Sequence, residues 1–110
     1  PAPSDPALGR SMILVAGTLQ VPPEAVESLR PAMLAMMSAS RAESGCVTYA
    51  YGHDLVEPGL IWVSESWTSQ EALDDHFKSS HMAVWRAALA AAGPFERNLS
   101  AFEVINQTGL

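Results

Sequence analysis

The sequence predicts a single α+β domain, and three observations support that fold class. The chain has 110 residues, enough for one domain with a substantial core but not for two. Apolar segments with the period of a strand alternate with segments of helical period. Turn and capping residues separate these segments at short intervals. Because 48% of the residues are hydrophobic and only 16% are charged, either the core is extensive or some apolar surface meets a partner or a ligand.

The first two elements are a strand and a helix. Residues 12–21 are apolar or β-branched without a helical period, which is typical of a strand. Pro22 and Pro23 end this strand and suit the first turn of a helix. Apolar or small residues then recur at helical spacing, namely Val26, Leu29, Met33, Met36 and Ser40. Gly45 is a plausible end of this helix.

The next segment is predicted to be a β-hairpin. Residues 47–53 alternate between two faces, which is the period of a strand. The run Glu57-Pro58-Gly59 has turn chemistry, since Pro suits the first central position of a turn and Gly the second. Residues 60–67 alternate again and form the return strand.

A second helical region follows the hairpin. Thr68-x-x-Glu71 is a capping box and predicts a helix that begins there. Ser79-Ser80 could end that helix and cap a further helical segment over residues 81–92. Residues 99–105 predict the last strand.

The resulting order, β-α-β-β-α-β, is that of the ferredoxin-like plan, an antiparallel sheet with the helices on one face. We expect the domain to span residues 12–106. Residues 1–11 are expected to be a flexible N-terminal tail, and residues 107–110 a C-terminal tail.

One face of the predicted sheet has no cover within the chain. It would show apolar residues such as Leu14, Leu60 and Trp62 to water. An apolar patch of this kind favours a partner. A second copy packed sheet to sheet is the simplest one, so the sequence predicts a homodimer.

Charge and composition exclude several classes of partner. The formal net charge is −6 and Lys78 is the only lysine, so nucleic acid and anionic membrane surfaces are unfavourable partners. A single cysteine, Cys46, cannot form an internal disulfide, which favours a reducing, cytoplasmic location. No apolar run approaches the roughly 18 residues of a membrane span, and residues 1–11 lack the apolar region of a signal peptide.

Two runs of residues and a single proline carry a family resemblance. The first run is Glu43-Ser44-Gly45-Cys46-x-x-Tyr49, the proline is Pro58, and the second run is Glu65-Ser66-Trp67-x-Ser69-x-Glu71-Ala72-Leu73-x-x-His76-x-x-Ser79-x-His81. Together they resemble the antibiotic biosynthesis monooxygenase family, over roughly residues 12–105. The resemblance implies a dimeric α+β barrel, with a pocket in each subunit between sheet and helices. It also implies oxidation of quinols, anthrones or related polyphenols by molecular oxygen, with no flavin, haem or metal cofactor.

Such a reaction requires a base, and His76 and His81 are the candidates. A phenol that loses its proton can pass an electron to oxygen, so the protein supplies a base, orientation and a dry pocket. Histidine has the unperturbed pKa closest to neutral pH. On an unbroken helix, residues five apart point about 140° away from each other. The two rings can converge only if Ser79-Ser80 breaks the helix; otherwise each has a capping or packing role.

Glu65 and Trp67 share a strand face and should both point towards the helices. A buried Glu needs a hydrogen-bond partner or becomes protonated. Glu65 could therefore perform acid–base chemistry, orient a histidine, or make a structural hydrogen bond. Trp67 is either a pocket wall or core filler.

Further residues are candidates for the substrate pocket, with core packing as the alternative for most of them. They are Tyr49, Phe77, Trp85, Met33, Met36 and Arg86. Arg86 could bind an anionic substrate or face solvent.

Metal and haem chemistry are not expected. No Asp, Glu or Cys is expected to complete a ligand set with the two histidines. The resemblance also extends to haem-degrading enzymes, but their first-strand Asn corresponds to Gly17 here and their helix His to Arg86. Two alternatives to a monooxygenase stay open: an isomerase of a small phosphorylated or carbonyl compound, and a non-catalytic small-molecule-binding or stress-response dimer.

Overall fold

The computed structural model describes residues 11–110, so the predicted N-terminal tail lies outside the described residues except for Ser11. The order β-α-β-β-α-β is confirmed, with the second helical region divided into two helices. The elements are β1 Met12–Gln20, α1 Val26–Arg41, β2 Cys46–His53, β3 Leu60–Trp67, α2 Gln70–Phe77, α3 Ser80–Ala91 and β4 Glu96–Val104. A short 3₁₀ turn, Pro23–Ala25, leads into α1.

The four strands form one antiparallel sheet in the order β2-β3-β1-β4, as the ferredoxin-like plan requires. The central strand β1 pairs with β3 on one side and with β4 on the other. Val15 therefore lies opposite Glu65 of β3 and Ala101 of β4. Because opposed residues share a face, these three side chains point to the same side of the sheet.

The helices cover that same side and build the core against it. Alternate strand residues are buried there, since successive side chains point to opposite faces. The buried apolar residues include Ile13, Val15 and Leu19 of β1, Ile61, Val63 and Trp67 of β3, and Leu29, Met36, Leu73, Trp85 and Leu89 of the helices.

The opposite face of the sheet is far more exposed. Trp62 of β3 and Phe102 of β4 are each 52% exposed, although both are large and apolar. Leu14 and Leu60 lie on the same face and are half-buried. The residues predicted for the open sheet face thus lie on it.

Gly17 allows the backbones of β1 and β4 to approach closely. Its φ is +149°, and a Cβ there would lie 2.0 Å from the Asn98 carbonyl oxygen. Any side chain would therefore displace β4. The Asn that haem-degrading relatives carry at the matching position does not fit this backbone.

Most helix and strand ends lie within a residue of the sequence prediction, and two differences are informative. The N-cap of α2 is Ser69 rather than Thr68, and its Oγ accepts from the Ala72 amide at 3.1 Å. Strand β4 begins at Glu96 rather than residue 99. Its polar first residues, which hid it in the sequence, pair with β1 as far as Gln20.

Within residues 11–110, every helix is too short or too polar to cross a membrane.

Candidate active site

The helical region is interrupted at Ser79, between α2 and α3, and this helix break brings His76 and His81 together. Ser79 has extended backbone angles, its Oγ accepts from the Met82 amide at 3.2 Å, and it donates to the His76 carbonyl at 2.7 Å. The two imidazole centroids are 5.7 Å apart. The convergence that the sequence made conditional on a helix break is therefore present.

Glu43 joins the two histidines into one cluster. Its Oε2 lies 2.7 Å from Nδ1 of His76 and 2.7 Å from Nε2 of His81. Glu43 lies in the loop before β2, and this loop can approach α2 only because Gly45 has no side chain: a Cβ there would lie 2.3 Å from that of Ala72. We call these three residues the Glu43–His cluster.

His76 is neutral in this arrangement. It is 1% exposed, and burial lowers its pKa from the usual value, against the opposing effect of the Glu43 carboxylate. Its Nδ1–H then donates to Glu43, while its Nε2 is buried and has no hydrogen-bond partner in the described part of the chain. An imidazolium would bury a second N–H without an acceptor, which the neutral ring avoids.

The cluster also corrects the argument against a metal ligand set. Glu43 supplies the acidic ligand thought to be missing, and the three residues offer one donor atom each, all within 4.8 Å of one another. In the arrangement described, both ring nitrogens are already hydrogen-bonded to the same carboxylate oxygen. Glu43 was not a candidate in the sequence, although it begins the first run that carries the family resemblance.

Trp67 connects the cluster to Glu65. It is fully buried, its ring centroid is 4.5 Å from that of His76, and its Nε1 donates to Glu65 Oε1 at 3.0 Å. Burial raises the pKa of Glu65 to about 7, with the Trp67 hydrogen bond acting in the opposite direction. Glu65 is therefore a carboxyl group that changes protonation near neutral pH.

Glu65 lies in the wall of a cavity of about 340 Å³, which we call the sheet–helix cavity. Strands β1, β3 and β4 and helices α2 and α3 contribute to its lining. The lining residues are Val15, Glu65, Phe77, Met82, Arg86, Arg97, Leu99, Ser100 and Ala101. Three of the residues singled out in the sequence, Glu65, Phe77 and Arg86, are thus brought together here, whereas His76 and His81 belong to the Glu43–His cluster.

The other predicted pocket residues lie elsewhere. Tyr49, Met36 and Trp85 are buried in the core. Tyr49 shares a 2.8 Å hydrogen bond with the hydroxyl of Tyr51, and burial raises the pKa of Tyr49 far above its ordinary value. Met33 lines a smaller depression of about 150 Å³ against α1. Their surroundings are those of packing residues.

Comparison with known proteins identifies the family but not the reaction. The model of the family described as "Antibiotic biosynthesis monooxygenase" matches residues 12–88. The protein sll1783 of Synechocystis is 32% identical over 69 residues, which are 63% of this chain and 47% of that protein. "Putative monooxygenase Rv0793" of Mycobacterium tuberculosis is 35% identical over 65 residues, 59% of this chain and 63% of that protein. The matches thus span about half to under two thirds of the length of these curated relatives.

Solved structures share the fold over nearly their whole length. The structure of Rv0793 has a TM-score of 0.77 at 26% identity and covers 90% of this chain and 100% of that one. A Caulobacter crescentus structure titled as a putative antibiotic biosynthesis monooxygenase has a TM-score of 0.79 at 23% identity, covering 88% and 92%. At that identity the likeness establishes the fold alone. The family match over residues 12–88 goes further: the chain belongs to the antibiotic biosynthesis monooxygenase family.

Proposed function

We propose that this protein is a monooxygenase that oxidises a small, electron-rich aromatic substrate, a polyphenol, quinol or anthrone, with molecular oxygen in the sheet–helix cavity. The observation that carries the proposal is Glu65, a buried carboxyl with a pKa of about 7 in the wall of a largely apolar cavity. Membership of the family and the name of the Mycobacterium relative support the same reaction class.

The proposed chemistry asks little of the protein beyond proton transfer. Ionised Glu65 accepts an acidic proton from the substrate. The resulting substrate anion passes one electron to molecular oxygen, and the substrate radical and superoxide then combine to form a carbon–oxygen bond. For an anthrone, the methylene group becomes a carbonyl, with one oxygen atom in the product and the other in water. The substrate itself supplies the electrons, so the reaction needs no resident redox cofactor. Apolar side chains in the wall, among them Val15 and Leu99, reduce the contact of the reacting anion with water.

Three groups are candidates for the base, and the geometry favours Glu65 over the histidines. In the Glu43–His cluster, Glu43 binds Nδ1 of His76 and Nε2 of His81. Within the described residues, the free Nε2 of His76 is buried, and neither histidine lines the sheet–helix cavity. Glu43 itself borders a polar depression of about 310 Å³ that also carries Glu71 and Asp75, whose negative charges disfavour a phenolate. Glu65 instead borders the apolar cavity, and Trp67 acts as its positioning residue through the 3.0 Å hydrogen bond.

Oxygen consumption with a panel of quinols and anthrones tests the proposal. We expect Glu65→Gln to lower kcat by about 100-fold or more, the usual contribution of a general base. Glu57→Gln, in the exposed turn between β2 and β3, is the matched control and should keep wild-type turnover. Full activity in Glu65→Gln combined with loss in His81→Ala would move the base to the histidines. Absence of oxygen uptake with every substrate would reject the monooxygenase.

We also propose that a second copy of the chain covers the open sheet face. Leu14, Leu60 and Trp62 would lie in that interface, together with the exposed Phe102. Sedimentation at micromolar concentration should give a dimer for the wild type and a monomer for Leu14→Glu. Val84→Glu is the control, because Val84 is 66% exposed on α3, away from the sheet face. A monomeric wild type would contradict the proposal.

A further inference from the structure

The chain has few cations, and two of them, Arg86 and Arg97, border the sheet–helix cavity. Lys and Arg number 6 against 12 Asp and Glu. Within residues 11–110, Arg30 is paired with Glu27 at 2.8 Å, and Arg41 donates to a backbone carbonyl at 2.8 Å. Arg86 and Arg97, like Arg41 and Lys78, have no carboxylate partner in that part of the chain. What distinguishes Arg86 and Arg97 is that both line the sheet–helix cavity.

Each of these two arginines is held by a neutral group. Arg86 donates through Nη2 to the Phe77 carbonyl at 3.2 Å, which leaves its other N–H donors available. The guanidinium carbon of Arg97 lies 5.6 Å from the ring centroid of Phe95, a cation–π arrangement. Such partners orient a guanidinium without neutralising it, so both charges remain available to an anion that enters the cavity.

The cavity has a different character around Glu65. The Glu65 carboxyl accepts from buried Trp67 and forms no ion pair with Arg86 or Arg97 in the described structure. Apolar side chains, among them Val15 and Leu99, complete the lining between these polar groups. A ligand that suits this lining has a flat apolar body, an anionic group for the arginines and an ionisable hydroxyl for the carboxyl.

We propose that the substrate is an anionic aromatic compound whose carboxylate or phosphate is bound by Arg86 and Arg97 while its reacting hydroxyl faces Glu65. This inference rests on the proposed function in that it concerns the same cavity. The cavity of about 340 Å³ lies at the lower end of the range of ligand pockets, which suits a small aromatic compound. The two arginines then select and orient the substrate, and Glu65 accepts its proton.

Binding of unreactive probes tests this inference without any turnover. The probes are 2-naphthoate, 2-naphthyl phosphate and the neutral 2-naphthalenemethanol, measured by titration calorimetry. We expect at least one of the two anions to bind about tenfold or more tightly than the alcohol, and the preferred anion identifies carboxylate or phosphate recognition. Arg86→Gln and Arg97→Gln should each reduce affinity for that anion about tenfold and leave affinity for the alcohol unchanged.

Arg30→Gln is the matched control, since Arg30 is exposed, lies on α1 and is already paired with Glu27. It should bind all three probes as the wild type does. Equal affinity for the anions and the alcohol, no binding of either anion, or equal losses in Arg30→Gln would each overturn the inference. Thermal unfolding of each variant verifies that it is folded.

The two proposals fail in distinguishable ways. Arginine-dependent binding of an anion without oxygen uptake from any quinol or anthrone would reject the monooxygenase and keep the anion site. Oxidation of neutral quinols that is unaffected in Arg86→Gln and Arg97→Gln, with no anion preference among the probes, would keep the monooxygenase and reject the anion site.

Discussion

The Glu43–His cluster and the sheet–helix cavity lie on the same side of the sheet, and their ionisable groups are used in opposite ways. In the cluster, one carboxylate oxygen accepts hydrogen bonds from two imidazoles at 2.7 Å each, so the carboxylate is bound within the cluster, although Nε2 of buried His76 has no partner within residues 11–110. Around the cavity, Glu65, Arg86 and Arg97 are left without ionic partners in the described structure. Ionisable side chains that are hydrogen-bonded to one another are characteristic of a structural network. Ionisable side chains without an ionic partner around an apolar cavity are characteristic of a binding site.

The largest expected difference between the two regions is in how stability depends on pH. The pKa of Glu65 is raised from 4.5 to about 7, so the folded state holds this proton more tightly than the unfolded state does. Its contribution to the free energy of unfolding is therefore most favourable below about pH 4.5. The contribution decreases as the pH rises to about 7 and is least favourable above that pH. The full difference is about 3 kcal/mol, of which about 2.5 kcal/mol falls between pH 5 and pH 8.

Urea unfolding of wild type and Glu65→Gln at about pH 5 and pH 8 measures this effect. The variant, which cannot ionise, should gain stability relative to wild type by about 2.5 kcal/mol between the two pH values. Glu57→Gln, in the exposed turn between β2 and β3, is the control and should stay within about 0.5 kcal/mol of the wild type. A pH-independent difference for Glu65→Gln would mean that Glu65 is hydrated and does not titrate as a buried acid.

Removal of the carboxylate from the Glu43–His cluster should change the free energy of unfolding somewhat less than the Glu65 effect does. Glu43→Ala leaves the Nδ1–H of buried His76 without an acceptor, and the loss of a hydrogen bond to a charged group is about 2 kcal/mol. Chemical denaturation should show that decrease, and Glu43→Gln, which keeps an acceptor oxygen, should recover part of it. An unchanged unfolding free energy in Glu43→Ala would show that water replaces the carboxylate and that the cluster is not a structural network.

The smallest expected effect concerns the break that brings the histidines together. Ser79→Ala removes the N-cap of α3 and the hydrogen bond to the His76 carbonyl, a loss of about 1 kcal/mol. Ser80→Ala, at the exposed first residue of α3, is the neighbouring control and should change stability little. Equal unfolding free energies for the two variants would show that Ser79 does not fix the break.

Local patterns in the sequence were sufficient for the fold and for part of the site. Strand alternation placed Glu65 and Trp67 on the helix-facing side, and both are buried there. The Ser79-Ser80 pair marked the helix break because serine is a strong N-cap residue. These features depend on residues close together in the chain, where periodicity and capping chemistry are readable.

The remainder of the site depends on contacts between distant segments. Glu43 meets His76 across 33 residues and His81 across 38, and nothing local to Glu43 specifies that approach. The absence of a side chain at Gly45 allows the loop that carries Glu43 to approach α2. Arg97 was missed for a related reason: it lies in the polar first part of β4, where the edge of a sheet carries little hydrophobic pattern.

Gly17 has one more consequence, which concerns the alignment of β4. The Asn98 carbonyl lies where a side chain at residue 17 would be, so the observed register of β4 requires glycine at that position. Side chains alternate along β4: Leu99 and Ala101 face the cavity, and Phe102 faces the open side of the sheet. A slip by one residue would set that carbonyl against a neighbouring side chain and exchange the two sets of residues. The absence of a side chain in β1 thus keeps the cavity-facing residues of β4 apart from those on the open face of the sheet.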